Sequence, residues 1–139
     1  MKTTIAIASL VFVQALILVS AQGRTTLDGV YTEAQAKRGE KVYAESCASC
    51  HGADLSGSGQ APELSGKDFN GDWNTLPLSD LFERTRVTMP ADKPGSLKPE
   101  QIADLTAFLL QKAAFPNGPT ELPSDLAALK TITFVSPKP

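Results

Sequence analysis

The sequence has few of the side chains that usually bind metal ions, with two cysteines, one histidine and two methionines among its 139 residues. A structural zinc site needs four cysteine or histidine ligands, so this chain cannot supply one by itself. Basic residues are not in excess either, because 13 Lys and Arg are scattered among 15 Asp and Glu. Proteins that bind nucleic acid normally carry a basic stripe, so we do not expect nucleic acid as a partner.

Long uncharged stretches are also scarce, and the longest lies near the N-terminus. After Lys2, a mainly apolar run of about 15 residues extends from Ile5 to Val19, shorter than the roughly 20 that a helix needs to cross a bilayer. Residues 19–21 have the small side chains of a signal-peptidase site. We therefore predict a cleaved signal peptide at residues 1–21 and an exported, periplasmic protein without stable membrane insertion. A retained membrane anchor is the alternative, and a buried core helix is less favoured.

The rest of the chain has room for one domain, and the spacing of its apolar residues favours helices. We predict three of them, over residues 33–47, 79–87 and 99–112. Thr32 with Gln35 has the form of a capping box at the start of the first helix. Gly39 in that helix costs about 1 kcal/mol relative to alanine, which predicts a close approach by another element there.

Two segments lack this helical spacing. Residues 52–77 are rich in Gly, Ser, Asp, Asn and Pro, and we expect a long loop there. Residues 113–139 hold five of the ten prolines, and we expect an extension outside the core, with a short helix over 125–130 and an extended stretch over 131–135. This extension would lie over the domain surface or, as an alternative, dock on a partner. The predicted organisation is a signal peptide (1–21), a helical domain (22–112) and a C-terminal extension (113–139).

Both cysteines lie in the sequence Cys47-Ala48-Ser49-Cys50-His51. This C-x-x-C-H pattern is that of covalent haem attachment, because two thiols three positions apart can reach both vinyl groups while the next histidine reaches the iron. A disulfide or a thiol redox pair is chemically possible in an exported protein. A redox C-x-x-C is, however, expected beside a strand and helix pattern that this sequence lacks. We therefore predict one covalent haem c, with His51 as an iron ligand.

Met89 is the second predicted iron ligand. Without residues 1–21, it is the only methionine and His51 is the only histidine. A lone methionine more often fills a core. Met89, however, follows a predicted short helix and precedes Pro90, which favours an extended backbone at this point. An iron with two strong ligands from this chain would use these two side chains.

Between residues 33 and 112 these motifs resemble the class I cytochromes c. The resemblance rests on Gly39, Tyr43, the C-x-x-C-H motif with Gly52, Ala61-Pro62-x-Leu64, Met89-Pro90 and Leu105-Thr106-Ala107-Phe108-Leu109. It implies an all-α fold, a small cytochrome c-like helical domain wrapped around one covalent haem, here with a Pro-rich C-terminal extension. It also implies that the first and last helices cross at nearly right angles, with Gly39 close to Phe108.

The resemblance assigns further residues to the haem. Pro62 is the position whose carbonyl accepts a hydrogen bond from the axial histidine, and Leu64 is the position that presses on the haem face. Trp73 is a candidate to donate its indole N–H to a haem propionate, with packing near the haem edge as the alternative. Arg84 and Arg86 either neutralise propionates or, as the favoured alternative, face water. The apolar residues expected around the porphyrin are Val42, Tyr43, Leu64, Leu81, Phe82 and Leu105.

A histidine and methionine pair fills both axial positions, so we predict one-electron transfer without a substrate of its own. The soft thioether stabilises Fe(II) and raises the reduction potential. Expected partners are redox proteins such as a periplasmic dehydrogenase or a terminal oxidase. The alternatives are a ligand-binding or sensing haem protein, which needs a labile sixth position, and a haem subunit of a larger dehydrogenase. An enzyme is less favoured, since no second acid or base is evident.

Overall fold

The computed structural model describes residues 23–59 and 61–137, and the predicted signal peptide lies outside the described residues. Within this range six helices occur: α1 (Glu33–Ser46), α2 (Ala48–His51), α3 (Gly66–Trp73), α4 (Leu78–Thr88), α5 (Pro99–Lys112) and α6 (Leu126–Leu129). The strands are short, with β1 (Arg24–Thr25) parallel to β2 (Ile132–Thr133), and a 3₁₀ turn follows β1 at Thr26–Asp28. None of the described helices is long and apolar enough to cross a membrane. The prediction of an all-α fold is confirmed.

Helices α1 and α5 form the centre of the fold, and they meet at Gly39. A Cβ atom on Gly39 would overlap the carbonyl oxygen of Asp104 and lie 2.9 Å from the backbone nitrogen of Leu105. One turn further along both helices, the ring centroids of Tyr43 and Phe108 are 5.3 Å apart. The close approach expected at Gly39 is therefore present, and it is centred on Asp104, one turn before Phe108.

The first turns of α1 and α5 are capped in different ways. Thr32 Oγ1 accepts a hydrogen bond from the Gln35 N–H (3.1 Å), which caps α1 as predicted. The second half of the expected capping box is wrong, because the Gln35 amide bonds instead to the backbone of Leu122 in the C-terminal segment. Helix α5 has no Ser or Thr cap; the Gln101 side chain accepts a hydrogen bond from the Lys98 N–H (3.0 Å).

The predicted loop over residues 52–77 contains a helix, α3, that the sequence analysis did not predict. Its start is stabilised by a carboxylate from outside the helix, since Glu63 Oε1 accepts a hydrogen bond from the Asp68 N–H (3.2 Å). Phe69 is buried and anchors α3 to the core. The prediction of a continuous loop is therefore wrong at α3, because Phe69 packs into the core and Glu63, three residues before the helix, accepts a hydrogen bond at its start.

The C-terminal segment is part of the core, so the expectation of an extension outside the core is wrong. Five of its large apolar side chains are at most 3% exposed: Phe115, Leu122, Leu129, Ile132 and Phe134. N-terminal side chains hold its backbone. Tyr31 donates from its hydroxyl to the carbonyl of Phe115 (2.7 Å), and the buried Gln35 makes two hydrogen bonds to the backbone of Leu122 (3.0 and 2.7 Å). The expected short helix and extended stretch occur as α6 and β2.

Candidate functional site

The C-x-x-C-H motif lies at a break between α1 and α2. Cys47 interrupts the helix with a φ of −130°, and the chain then makes one more helical turn. Gly52, with a φ of +79°, ends that turn in a conformation that favours glycine. This geometry leaves Cys47 and His51 buried (8% and 6% exposed) and Cys50 exposed, and all three line the same cavity.

The His51 ring is held by the loop that follows it. Its Nδ1 lies 2.8 Å from the carbonyl oxygen of Pro62. Because a carbonyl oxygen only accepts, Nδ1 is the donor of this bond, and Nε2 is the ring nitrogen left to bind a metal. Such a bond fixes the orientation of the ring. Leu64, whose N–H donates to the carbonyl of Leu55 (2.9 Å), lines the cavity together with Pro62.

Met89 lies where the chain leaves α4. Its N–H donates to the carbonyl of Thr85 (2.9 Å), and its extended backbone ends the helix immediately before Pro90. A residue that precedes proline disfavours helical geometry, which explains why α4 stops here. Met89 is half-buried and lines the cavity that His51 lines.

These side chains share one cavity of about 1100 Å³. Ordinary small-molecule sites have volumes of roughly 300–1,000 Å³, so this cavity suits a large ligand. Its apolar walls come from α3, α4, α5 and the segments around α3, with Leu64, Phe69, Trp73, Leu76, Leu81, Leu105 and Leu109. Two thiols, an imidazole and a thioether line a space that is otherwise largely apolar. The residues present therefore fit a haem bonded through both cysteines.

The apolar lining was predicted only in part. Leu64, Leu81 and Leu105 line the cavity as expected, whereas Val42, Tyr43 and Phe82 are buried in the core away from the described lining. The cavity is also lined by Phe69, Leu76 and Leu109, which are not among the residues expected from the sequence. Leu109 follows Leu105 by one helical turn, so helical spacing could have found it. Phe69 and Leu76 lie in the segment expected to be a loop, where no periodicity identified them.

Two arginines and one tryptophan were candidates to contact propionates. Arg84 lines the cavity, whereas Arg86 pairs with Glu83 at 2.6 Å and lies outside the described lining. Trp73 also lines the cavity, and no hydrogen bond from its indole is found within the described part of the chain. The structure thus separates the two arginines and brings Arg84 and Trp73 to one cavity. Acidic side chains also line it: Glu63, Asp72 and Asp92.

The environment of Cys47 differs from that of a reactive thiol. Burial raises the pKa of Cys47 to about 11, and the neighbouring Cys50 adds to the shift. Reactive C-x-x-C pairs work by the opposite shift, since a lowered pKa makes the nucleophilic thiolate available at neutral pH. The environment of Cys47 therefore disfavours thiol exchange.

Comparison with known proteins agrees with a haem site. Residues 34–109 match the family described as Cytochrome C oxidase, cbb3-type, subunit III. Cytochrome c-551 of Bacillus subtilis is 28% identical over 117 residues, which cover 81% of this chain and 99% of that protein. Cytochrome c of Gossypium barbadense is 31% identical over 101 residues, 57% of this chain and 91% of that protein. Among solved structures, the sulfane dehydrogenase SoxCD of Paracoccus pantotrophus matches with a TM-score of 0.47 and 21% identity, over 64% of this chain and 53% of that chain.

The family match covers more than half of the chain and includes the C-x-x-C-H motif, Pro62 and Met89. Cytochromes c carry covalent haem c and are electron carriers rather than enzymes, and the single pair of cysteines here accounts for one haem. The cavity beside those cysteines has the size, the apolar walls and the donor atoms that this cofactor requires. The chain therefore belongs to the monohaem class I cytochrome c family.

Proposed function

We propose that this protein is an exported one-electron carrier whose haem iron is bound by His51 and Met89, and that it works in a periplasmic respiratory or dehydrogenase-linked chain. One observation carries the ligand assignment. His51 and Met89 line the same cavity, and the Pro62 carbonyl occupies the Nδ1 side of the imidazole. The other ring nitrogen is then the one left for iron.

The haem, when bound, supplies one iron that cycles between Fe(II) and Fe(III). Met89 favours the reduced state because its thioether is a soft ligand. The leucine side chains of the walls act in the same direction, since a low dielectric penalises the extra charge of the oxidised state. The ligand set and the walls together predict a positive reduction potential.

The two cysteines differ in exposure, and this difference defines the route for electrons. Cys50 is exposed, whereas Cys47 and His51 are buried (8% and 6% exposed). The edge bonded to Cys50 would therefore lie near the surface while the axial histidine stays inside. A partner can approach such an edge without reaching the iron, which suits outer-sphere electron transfer in weak, brief contacts.

Replacing Met89 tests the ligand assignment. We expect Met89→Ala to lower the reduction potential and to open a position that binds carbon monoxide. Val87→Ala is a matched control, because Val87 is two residues away, 50% exposed and outside the described cavity lining. Avid carbon monoxide binding by the parent protein at neutral pH would contradict the assignment and favour a ligand-binding or sensing role.

The mass of the purified protein tests export and attachment together. We expect the mass of residues 22–139 plus one haem, and a haem that stays with the protein in acidic organic solvent. A mass that still includes residues 1–21 would indicate a retained anchor. Haem released into the solvent would contradict bonding through Cys47 and Cys50.

Electron exchange tests the role as a carrier. We expect rapid reduction by a chemical donor and rapid oxidation at an electrode or by membranes, with little turnover of peroxide. Lys2 is the only charged residue in 1–21, so the net charge of −2 becomes −3 on cleavage, and we expect a modest dependence on ionic strength. Peroxide turnover as fast as electron exchange would refute the carrier role.

A further inference from the structure

The last described residues of the chain contact the cavity wall through the backbone of Phe134. The Phe134 carbonyl accepts a hydrogen bond from the Thr75 N–H (2.8 Å), and the Phe134 N–H donates to the Leu76 carbonyl (2.8 Å). The side chain of Leu76 lines the cavity. We name residues 132–136 the C-terminal strap; its backbone holds the segment on which Leu76 lies.

The Phe134 ring supports the same wall from behind. It is 1% exposed and lies edge-on to Phe69, with the ring centroids 6.2 Å apart. Phe69 lines the cavity, whereas Phe134 does not belong to the described lining. On its other side Phe134 packs edge-on against Phe115 at 5.0 Å. The ring of Phe134 therefore fills the layer immediately outside the wall.

Ser136 holds the C-terminal end of α3. Its hydroxyl donates to the carbonyl of Asn70 (2.7 Å), and its N–H donates to Oδ1 of Asn74 (2.9 Å). Helix α3 has only eight residues and two of them are glycine, so it would be marginal without tertiary contacts. Trp73, its last residue, lines the cavity. Ser136 of the strap thus bonds to both sides of Trp73, at Asn70 and Asn74.

We propose that the C-terminal strap positions the cavity wall made by Phe69, Trp73 and Leu76, and thereby sets the exposure of the haem to water and its reduction potential. Phe134 and Ser136 are positioning residues, because they act through the wall and do not line the cavity. A looser wall admits water, which stabilises the charge of Fe(III) and lowers the potential. The inference rests on a haem in this cavity and holds with or without Met89 as a ligand.

Two pairs of variants of the haem-loaded, full-length protein test this proposal. Phe134→Ala removes the ring behind the wall, and its control Leu122→Ala removes a side chain of the same C-terminal segment that is also buried (3% exposed). Ser136→Ala removes a hydrogen bond of 2.7 Å to α3, and its control Thr131→Ala removes one of 2.7 Å to Ala128. The serine pair decides the question if the larger changes prevent folding.

Reduction potential and tryptophan fluorescence are the readouts. At a fixed electrode potential, we expect the ratio of oxidised to reduced Phe134→Ala to rise by up to about tenfold, which is about 59 mV for a one-electron couple. Fluorescence should rise too, since Trp73 is the only tryptophan and nearby haem quenches it. Ser136→Ala should change the reduction potential and the fluorescence in the same directions, by smaller amounts. The two control variants should change neither quantity.

Loss of thermal stability alone would not support the proposal, because Leu122→Ala should lose stability as well. Unchanged potential and fluorescence in both strap variants, or equal shifts in the controls, would overturn it. Carbon monoxide binding by the parent protein reports separately on Met89. Failure of the Met89 assignment is therefore distinguishable from failure of the strap proposal, because the first is tested by carbon monoxide binding and the second by the fluorescence of Trp73.

Discussion

Replacing Gly39 with alanine tests the contact on which the fold depends. The added Cβ would overlap the Asp104 carbonyl oxygen and lie 2.9 Å from the Leu105 nitrogen. Both are backbone atoms of α5, so no rotamer change can relieve the overlap, and α1 and α5 must move apart. Arg38 in α1 makes two hydrogen bonds of 2.9 Å to the Asp104 carboxylate, and this movement would strain them as well.

The expected cost follows from two opposing effects. Overpacking a close contact costs about 1–3 kcal/mol and sometimes more, and a clash with backbone belongs at the upper end. Alanine gains about 1 kcal/mol over glycine inside a helix. We therefore expect Gly39→Ala to lower the free energy of unfolding by about 2 kcal/mol or more, out of a total of about 5–15 kcal/mol for a typical domain.

Gly71→Ala is the matched control. Gly71 lies inside α3, and an added Cβ there meets nothing within 4 Å. It should therefore stabilise the protein by up to about 1 kcal/mol. The measurement is denaturant unfolding of the haem-loaded protein, followed by far-ultraviolet circular dichroism and by haem absorbance. A Gly39→Ala protein as stable as the parent would refute the reasoning, because it would show that α5 can yield without cost.

Three further predictions concern single side chains. Tyr43→Phe should lower the free energy of unfolding by about 1 kcal/mol at neutral pH, because it removes the hydrogen bond from the Tyr43 hydroxyl to the Gly52 carbonyl at the end of α2. Burial raises the pKa of Tyr43 from 10 to about 12, so the free energy of unfolding of the parent should fall as the pH rises from 10 to 12. Urea unfolding measured across this pH range should show a smaller fall for Tyr43→Phe, which lacks the hydroxyl. Gln35→Leu should lower the free energy of unfolding by about 3 kcal/mol, because the N–H and the carbonyl of Leu122 lose their hydrogen-bond partner. Calorimetry measures this loss, and an unchanged melting temperature would contradict it. Arg84→Gln should lower the reduction potential, because it removes a positive charge at the cavity. Arg86→Gln is the control, because Arg86 pairs with Glu83 outside the described cavity lining. Equal shifts of the potential in the two variants would refute the assignment of Arg84 to the cavity.

The helices that could be predicted are those stabilised mainly by their own sequence. Helix α1 has Thr32 as its cap, and α5 has proline at its first position and apolar residues at helical spacing. Helix α3 has Ser65 at its N-cap, but the serine side chain makes no capping hydrogen bond. The Glu63 carboxylate, three residues before the helix, reaches its start, and the Ser136 hydroxyl reaches its last turn; only the folded chain brings Ser136 there.

The candidate site divides in the same way. The cysteines and His51 lie within one turn of helix, so their relative positions follow from local geometry, and the extended backbone before Pro90 identified Met89. Most of the cavity wall could not be predicted, because it is assembled from helices and loops distant in sequence. The prolines of the C-terminal segment predict an extension outside the core. Its apolar residues, among them the buried Ile132 and Phe134, instead pack into the core.

The two ends of the described chain bond to each other and add buried residues to the core. Val30 and Tyr31 are at most 1% exposed, and Thr26 exchanges two hydrogen bonds with the backbone of Val135 (3.1 and 2.9 Å). A domain of this size buries a modest fraction of its surface, so additional apolar layers matter for its stability. Leu122 is buried in the C-terminal segment and lies outside the described cavity lining, whereas Phe134 contacts Phe69 of the cavity wall. We therefore expect stability and reduction potential to depend on different residues of this segment, and Leu122→Ala to change the stability without changing the potential.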